Sequence, residues 1–497
     1  MNAFKTPIKM PVAEIDSLSF LNGMQTRFTS IAQMMETRAN EIPDRPHLLY
    51  DDQTVTYAQT HERAGRVAGF LARQKIQKGA VVSLMIMNAP EIFYCMLGAV
   101  KAGAIAGSIN FALKGPEIAY VLDDSKPRVV FVGSEFMDEF SIAMGIASHH
   151  PLIVEVKTDT RPQSPLAAAC LQEILDTAPV METFVPQNID DPFLLLYSSG
   201  TTGHPKGIIL THKGQLSICR DMARLGLVTG GDTMLILLPM FHTNPICVWS
   251  FPMTFCGQTL CIRKAFSPQD FWPAILDNGI TILMGVPAMY AYVYSATDPA
   301  TLDRSKLKLK WAFCGAAPLS TTLIKGFKDK FNVDIIEGYG LTEATGVSTA
   351  NPPLGNRKPG SIGLPMREQE VAILDDDQNP LAAGEKGEIC IRGDATMQSY
   401  LNNPEGTSGT LKNGWLLTGD IGYMDPDGYF YVVDRKKDMI NRGGENIYPR
   451  EIEMVLEKHP GIAAVAVVGI PDQALGERVK AVLELTKPGS LSQIGRA

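Results

Sequence analysis

The run Tyr197-Ser198-Ser199-Gly200-Thr201-Thr202-Gly203-His204-Pro205-Lys206-Gly207 follows an apolar segment, Phe193 to Tyr197, that reads as a strand. Its three glycines let the backbone turn N–H groups inward, four hydroxyls add donors, and Lys206 adds a positive charge. That is the chemistry of a loop that holds a polyphosphate. The spacing is not that of a Walker loop, G-x-x-x-x-G-K-[ST], which sets the chain apart from the common kinase and NTPase folds. A plain Ser/Gly linker is the competing reading, although linkers rarely carry so ordered a pattern.

Other residues could do chemistry further along. Tyr339 offers a flat π face for a ring, or is a core tyrosine. Glu343 can bind a hard cation, or is a solvated or capping carboxylate. His242 ends a hydrophobic strand, where a hydrogen-bonded strand-end histidine is the competing reading. Asp420 follows Gly419 and is either a hydrogen-bond acceptor or a turn residue. Gly443 and Gly444 let a backbone approach a thin ligand closely, or form a β-turn.

These residues lie in six ordered motifs, and the set resembles the adenylate-forming superfamily, in its acyl-CoA synthetase branch. Beside the loop at Ser198–Lys206 stand Leu238-Pro239-Met240-Phe241-His242, Gly315-Ala316-Ala317-Pro318-Leu319, and Glu337-Gly338-Tyr339-Gly340-Leu341-Thr342-Glu343. They are followed by Trp415-Leu416-Leu417-Thr418-Gly419-Asp420, and by Asp434-Arg435-Lys436-Lys437-Asp438, which continues to Arg442-Gly443-Gly444-Glu445-Asn446. Six motifs in order are far more specific than any one. The similarity runs from about Ser30 to the last residue.

The resemblance implies roles residue by residue. ATP or AMP would contact Ser198, Ser199, Gly200, Thr201, Thr202, Gly203, Lys206, Gly315, Ala316, Ala317, Glu337, Gly338, Tyr339, Gly340, Leu341 and Thr342, with Asp420 and Arg435 on the ribose. Thr201 and Glu343 would hold Mg²⁺, and these two with Lys206 and His242 form the catalytic set. His242 would sit beside the carboxylate, without a general-base role. The acyl pocket would take His242, Thr243, Asn244, Ile246, Trp249, Gly315 and Gly340. Gly443 and Gly444 would line the coenzyme A channel, and Lys437 would mark the hinge between domains.

The implied reaction is ATP-dependent acyl-CoA synthesis. A carboxylate attacks the α-phosphorus, pyrophosphate leaves, and the thiol of coenzyme A then displaces AMP from the acyl-adenylate. The protein's part is positioning and charge neutralisation, so the hydroxyl-rich loop is read as phosphate contacts, not as a nucleophile elbow. A medium- or long-chain fatty acid is the favoured substrate, with aryl and carnitine-type acids as alternatives. A luciferase-like oxygenase and a non-catalytic nucleotide or acyl binder are the other readings.

The chain departs from the family at one point. It stops at Ala497, roughly sixty residues past Lys437, and the tail Lys487–Ala497 lacks the late lysine motif that the family uses in adenylation. No residue takes that role, because Lys480 and Lys487 come too early. Truncation is the favoured account, since every other motif is intact. A poor adenylating enzyme that keeps the thioester step, or a degenerate binder, would be the alternatives.

The elements that must position these residues alternate. Amphipathic helices are expected from Ser30 and across Tyr57 to Leu71, and a helix opened by Pro90 with Phe93, Met96, Leu97 and Val100 on one face. Strands are expected at Val81–Ile86 and Arg128–Val132, then at Phe193–Tyr197, Met234–Leu238, Ile280–Met284 and Trp311–Cys314. Strands alternating with helices indicate parallel sheets covered on both sides. Near Pro359 the texture turns to short alternating strands punctuated by glycine, with a hairpin at Asp425-Pro426-Asp427-Gly428. A helix at Pro449–Lys458 and a strand at Ala463–Val468 follow.

The expected fold class is α/β plus β. Residues 1–28 read as an N-terminal extension, and 29–434 as the AMP-binding domain, with two α/β subdomains to about 357 and a small antiparallel β-barrel over about 358–434. Residues 435–497 read as a small, incomplete α+β domain.

Bulk numbers agree with a soluble enzyme. Of 497 residues, 45% are hydrophobic and 20% charged, and the net charge of −8 leaves no basic surplus for nucleic acid. Eight cysteines form no C-x-x-C pair, so neither a zinc site nor a disulfide framework is expected, and a reducing compartment fits. The N-terminus is interrupted by Pro7, Pro11, Glu14 and Asp16 and does not read as a signal peptide. The apolar stretch Phe93–Ala112 is broken by Lys101 and Asn110 and reads as a buried helix and strand. Cytoplasm is the default location. The partners are a carboxylic acid, ATP and coenzyme A, and a homodimer is compatible with the resemblance.

Overall fold

Ser30 opens the first helix, Ile31–Glu41, and its hydroxyl accepts from the Gln33 N–H. The return bond of a capping box goes one residue astray: the Gln33 side chain accepts from the N–H of Thr29. The next helix, Tyr57–Arg73, does carry a full capping box, between Thr56 and Gln59. The computed structural model describes residues 27–198, 205–317, 319–442, 445–457, 459–472 and 475–486. These divide into two compact units, one of residues 27–370 and 392–416, the other of residues 371–391 and 417–486.

The larger unit holds two sheets. The eight-stranded one runs Ser399–Tyr400, Lys206–Thr211, Pro192–Ser198, Ile105–Ser108, Val81–Met85, Val129–Gly133, Leu152–Val156, Ala169–Cys170. Its middle is parallel, but Pro192–Ser198 and Lys206–Thr211 pair antiparallel. The nine-stranded sheet contains Asp334–Tyr339, Trp311–Cys314, Ile282–Gly285, Thr233–Ile236 and Thr259–Ile262 side by side and parallel. It also recruits Pro46–Tyr50 and Gln53–Thr56 from early in the chain, so the two layer systems are interleaved in sequence.

The helix after Pro90, Glu91–Lys101, differs from the one-faced helix expected. All but its first residue are buried, because it is covered on every side. Its last residue, Lys101, sets its ammonium against the ring of His61 and the carbonyl of Glu182. Burial is the main cause that lowers the His61 pKa to about 4, with Lys101 adding to it. The unfolded chain therefore binds a proton near pH 6.5 that the folded chain refuses. The stability this neutral histidine contributes is present above pH 6.5 and is lost as pH falls towards 4. His61→Gln keeps an acceptor for Lys101 and removes the titration. Its stability relative to wild type should rise on acidification, by up to about 1.4 kcal/mol per pH unit, in urea unfolding at pH 7 and pH 5. A difference that does not change with pH would contradict this.

The smaller unit is built on strands Gly387–Gly393, Trp415–Met424 and Phe430–Arg435 of a five-stranded sheet. The expected hairpin is present: Met424 pairs with Phe430, the Gly428 N–H donates to the Asp425 carbonyl, and Gly428 takes φ +85°. A second, four-stranded sheet contains Glu445–Ile447, Ile440–Arg442, Gly476–Leu485 and Ile462–Asp472, with the helix Pro449–Leu456. All eight cysteines are free. No helix among the described residues is long and apolar enough to cross a membrane.

Candidate active site

In the larger unit four parallel strands of the nine-stranded sheet deliver their carboxyl ends to one rim. Thr233–Ile236 leads into Leu237–His242, Ile282–Gly285 ends at a glycine, Trp311–Cys314 leads into Gly315–Ala317, and Asp334–Tyr339 leads into Gly340–Glu343. Open parallel sheets bind ligands outside such strand ends. Cys314 lies opposite Glu337, so the loop that begins at Gly315 runs beside Gly338. Ala316 takes φ +69°, an unusual conformation for a residue with a Cβ. Outliers of this kind concentrate at functional loops.

Residues 340–346 form a tight turn. The N–H of Gly346 donates to the Leu341 carbonyl and that of Thr345 to Thr342. This turn presents Glu343, half-buried. The Tyr400 hydroxyl donates to Glu343 Oε1 at 2.8 Å, and Lys206 Nζ stands 5.0 Å from the centre of the Tyr400 ring. Lys206 opens its strand opposite Ser198, so the polyphosphate loop expected from the sequence closes this hairpin. Ser199, Gly200, Thr201, Thr202 and Gly203 lie outside the described residues.

The residues expected to line an acyl pocket follow His242 and reach the same rim through Thr243. Thr243 donates to the Thr342 hydroxyl at 2.7 Å. Asn244–Ser250 winds as a π-helix, a form that recurs at functional sites. Ile246 and Trp249 are buried in it, with Trp249 packed 4.6 Å from Phe313. Among the described residues, Trp249 Nε1 and Asn244 Oδ1 are buried without a hydrogen-bond partner. His242 stacks obliquely on Phe241, and although its side chain reaches solvent, the surrounding protein lowers its pKa. The imidazole is therefore neutral at pH 7. Burial pushes the Glu337 carboxyl up to about 7, against the Gly360 N–H that donates to it at 2.9 Å.

The smaller unit, taken by itself, carries a charged pair. Asp420 and Arg435 are partners across two strands, and Arg435 Nε lies 3.0 Å from Asp420 Oδ1. Asp420 is buried while Arg435 is exposed. Lys437 sits exposed in a single 3₁₀ turn, Lys436–Asp438. Gly443 and Gly444 lie outside the described residues.

Residues 35–401 match the AMP-binding enzyme model, and residues 451–496 match the AMP-binding enzyme C-terminal domain. The chain belongs to the AMP-binding enzyme family. It is 36% identical over 439 residues to the long-chain-fatty-acid–CoA ligase FadD13 of Mycobacterium tuberculosis, covering 87% of this chain and 83% of that protein. It is 33% identical over 451 residues to a feruloyl-CoA synthase of Amycolatopsis, covering 90% and 87%. The o-succinylbenzoate coenzyme A synthetase MenE of Bacillus subtilis, solved with ATP and magnesium ion, superposes with a TM-score of 0.79 at 29% identity, covering 92% and 90%.

Sequence reading missed Tyr400, which touches Glu343 across 57 positions of chain. It also missed Asp124, whose carboxylate accepts from the Tyr197 hydroxyl at the foot of the loop. Neither residue sits in a spacing that announces such a contact.

Proposed function

We propose that the chain is an AMP-forming acid–CoA ligase whose adenylating site is the rim just described, and that its acid is a medium- or long-chain fatty acid. The observation that carries this reading is the approach of Lys206 and Glu343 to one tyrosine, beside the carboxyl ends of four parallel strands. The cation faces the phosphates, and Gly315, Ala316, Ala317 and Tyr339 accept the adenine ring. Thr342 and Thr243, joined hydroxyl to hydroxyl, mark where the acyl phosphate forms. Asp420 and Arg435 take the ribose, Lys437 serves as the hinge, and Gly443 and Gly444 flank the pantetheine arm.

A magnesium ion fits the donor set. No group of three or more His, Cys, Asp or Glu among the described residues could hold a metal by itself. Mg²⁺ is commonly held by one or two carboxylates and the substrate's own phosphates, so a single Glu343 suffices on the protein side. When bound, it would neutralise phosphate charge. The chain's residues do the rest. Lys206 and the loop fix the phosphates, and the neutral His242 borders the carboxylate without adding charge beside it. Pre-positioning of this kind supplies most of what such a reaction needs.

The long-chain-fatty-acid relative supports an alkyl acid. A second reading, an aryl acid with a polar group, is favoured by the unpaired Trp249 Nε1 and Asn244 Oδ1 on the acyl side and by the feruloyl relative. ATP–pyrophosphate exchange with fatty, aryl and short acids separates the two, and thioester formation with coenzyme A tests the second step. Exchange with no acid, in a chain that binds ATP, would sink the ligase reading.

Glu337 gives a pH prediction. An ionised carboxylate accepts from the adenine amine more strongly than a neutral one. With a pKa of about 7, it loses that form as pH falls. The KM for ATP should rise about five-fold from pH 8 to pH 6. In Glu337→Gln this pH dependence should vanish, and a profile identical to wild type would contradict the assignment.

A further inference from the structure

We propose that Tyr400-Leu401-Asn402 is a positioning brace, which ties both stems of the phosphate loop to the carboxylate of Glu343. The inference rests on the adenylating site proposed above, and it assigns a task to residues outside every motif that carried that proposal.

Each residue of the tripeptide makes a different tie. The Tyr400 hydroxyl donates to Glu343 Oε1 at 2.8 Å, while Lys206 lies over the ring face. A tyrosine hydroxyl carries its proton at neutral pH and a carboxylate only accepts, so Tyr400 is the donor of this pair. The Leu401 N–H donates to the Gly207 carbonyl at 2.7 Å, one residue past Lys206. Asn402 takes φ +51° and donates through Nδ2 to the carbonyl and Oδ1 of Asp124, at 2.8 and 3.1 Å. Asp124 Oδ2 in turn accepts from the Tyr197 hydroxyl at 2.7 Å. The outgoing stem at Gly207, the incoming stem at Tyr197 and the carboxylate are thus held by three consecutive residues.

The preceding residues repeat the pattern on the backbone. The Met397 N–H donates to the Glu343 carbonyl at 2.7 Å, and the Gln398 N–H to Ile209 at 2.9 Å. Ser399 and Tyr400 pair with Ile209 and Ile208 as a short strand. The segment is therefore a splint between the strand that carries Lys206 and the turn that carries Glu343. Tyr400 acts through those two groups, so it is a positioning residue. A purely packing tyrosine would tolerate loss of its hydroxyl.

Tyr400→Phe keeps the ring and removes only that tie. Asn402→Gly keeps the left-handed backbone and removes the tie to Asp124. The readout is ATP binding by calorimetry as Mg²⁺ or Mn²⁺ is titrated, with thermal midpoints recorded alongside. Losing a hydrogen bond to a charged group should raise the half-saturating metal concentration of Tyr400→Phe about ten-fold. Asn402→Gly should weaken ATP binding about five-fold, with the metal half-saturation unmoved. A Tyr400→Phe value within about two-fold of wild type overturns the brace, as does wild-type ATP binding that ignores the metal. Should Tyr400→Phe fail to fold, the Asn402→Gly split decides alone. Absent pyrophosphate exchange with this binding pattern intact would count against the ligase reading and leave the brace standing.

Discussion

Lys206→Ala should lower acid-dependent ATP–pyrophosphate exchange by about 10²–10³-fold, the usual loss when one preorganised contact to developing charge is removed. Lys206 is the first residue of its strand and pairs with Ser198, so its backbone is fixed by the sheet up to the point where the chain leaves the loop. Its ammonium stands over the Tyr400 ring, 5.0 Å from the centre, which orients the charge without neutralising it. Alanine would remove the charge and leave the strand intact, because the ladder from Gly207 to Thr211 does not involve the side chain. Thermal stability should therefore stay within about 0.5 kcal/mol of wild type, as for most half-exposed positions. ATP affinity should fall less than the exchange rate, since the positive charge matters most as pyrophosphate departs. Equal losses in binding and rate would make Lys206 a plain phosphate anchor, and an unchanged rate would remove it from the site.

Much of this arrangement was legible in the chain. The parallel strands Val81–Met85, Val129–Gly133 and Trp311–Cys314 are short β-branched or aromatic runs between helical periods, and local pattern suffices for them. Pro46–Tyr50 and Gln53–Thr56 were not legible, because only the sheet that receives them, far along the chain, explains their pairing. The antiparallel turn at Ser198 to Lys206 was hidden for the same reason: the loop's composition announces phosphate chemistry but says nothing about strand direction. At the site, the motif residues around Gly315 and Glu337 were readable as a set, and the structure brings them to adjacent strand ends. Tyr400 and Asp124 were not, because their role is made by side chains meeting across the fold.

Gly340→Ala should abolish most activity while leaving the chain folded. A Cβ at Gly340 would fall 2.2 Å from the Gly346 carbonyl oxygen and 2.7 Å from the Gly346 carbonyl carbon and Val347 Cα. All three are backbone atoms, so no rotamer change can make room. The turn cannot simply swing away, because Gly338 and Tyr339 pair with Ala350 and Thr349 on its far side. Gly346 has no slack either, with φ +105° and side chains of Val248 and Thr243 against it. The strain must therefore push out residues 341–345, which carry Thr342 and Glu343. Overpacking of this kind costs about 1–3 kcal/mol, a loss a folded domain survives. A displacement near 1 Å in a positioned group costs about 10²-fold in rate. Gly315→Ala is the matched control: its Cβ would meet the Gly338 oxygen at 3.3 Å, a contact relieved by a shift of a few tenths of an ångström. Exchange in Gly340→Ala should drop at least ten times further than in Gly315→Ala, on the strength of that geometric difference alone. Equal losses in the two variants would mean that lost pocket volume matters, not a displaced turn. Activity retained in Gly340→Ala would mean that the 341–345 turn tolerates movement, and Glu343 could not then be a precisely held group.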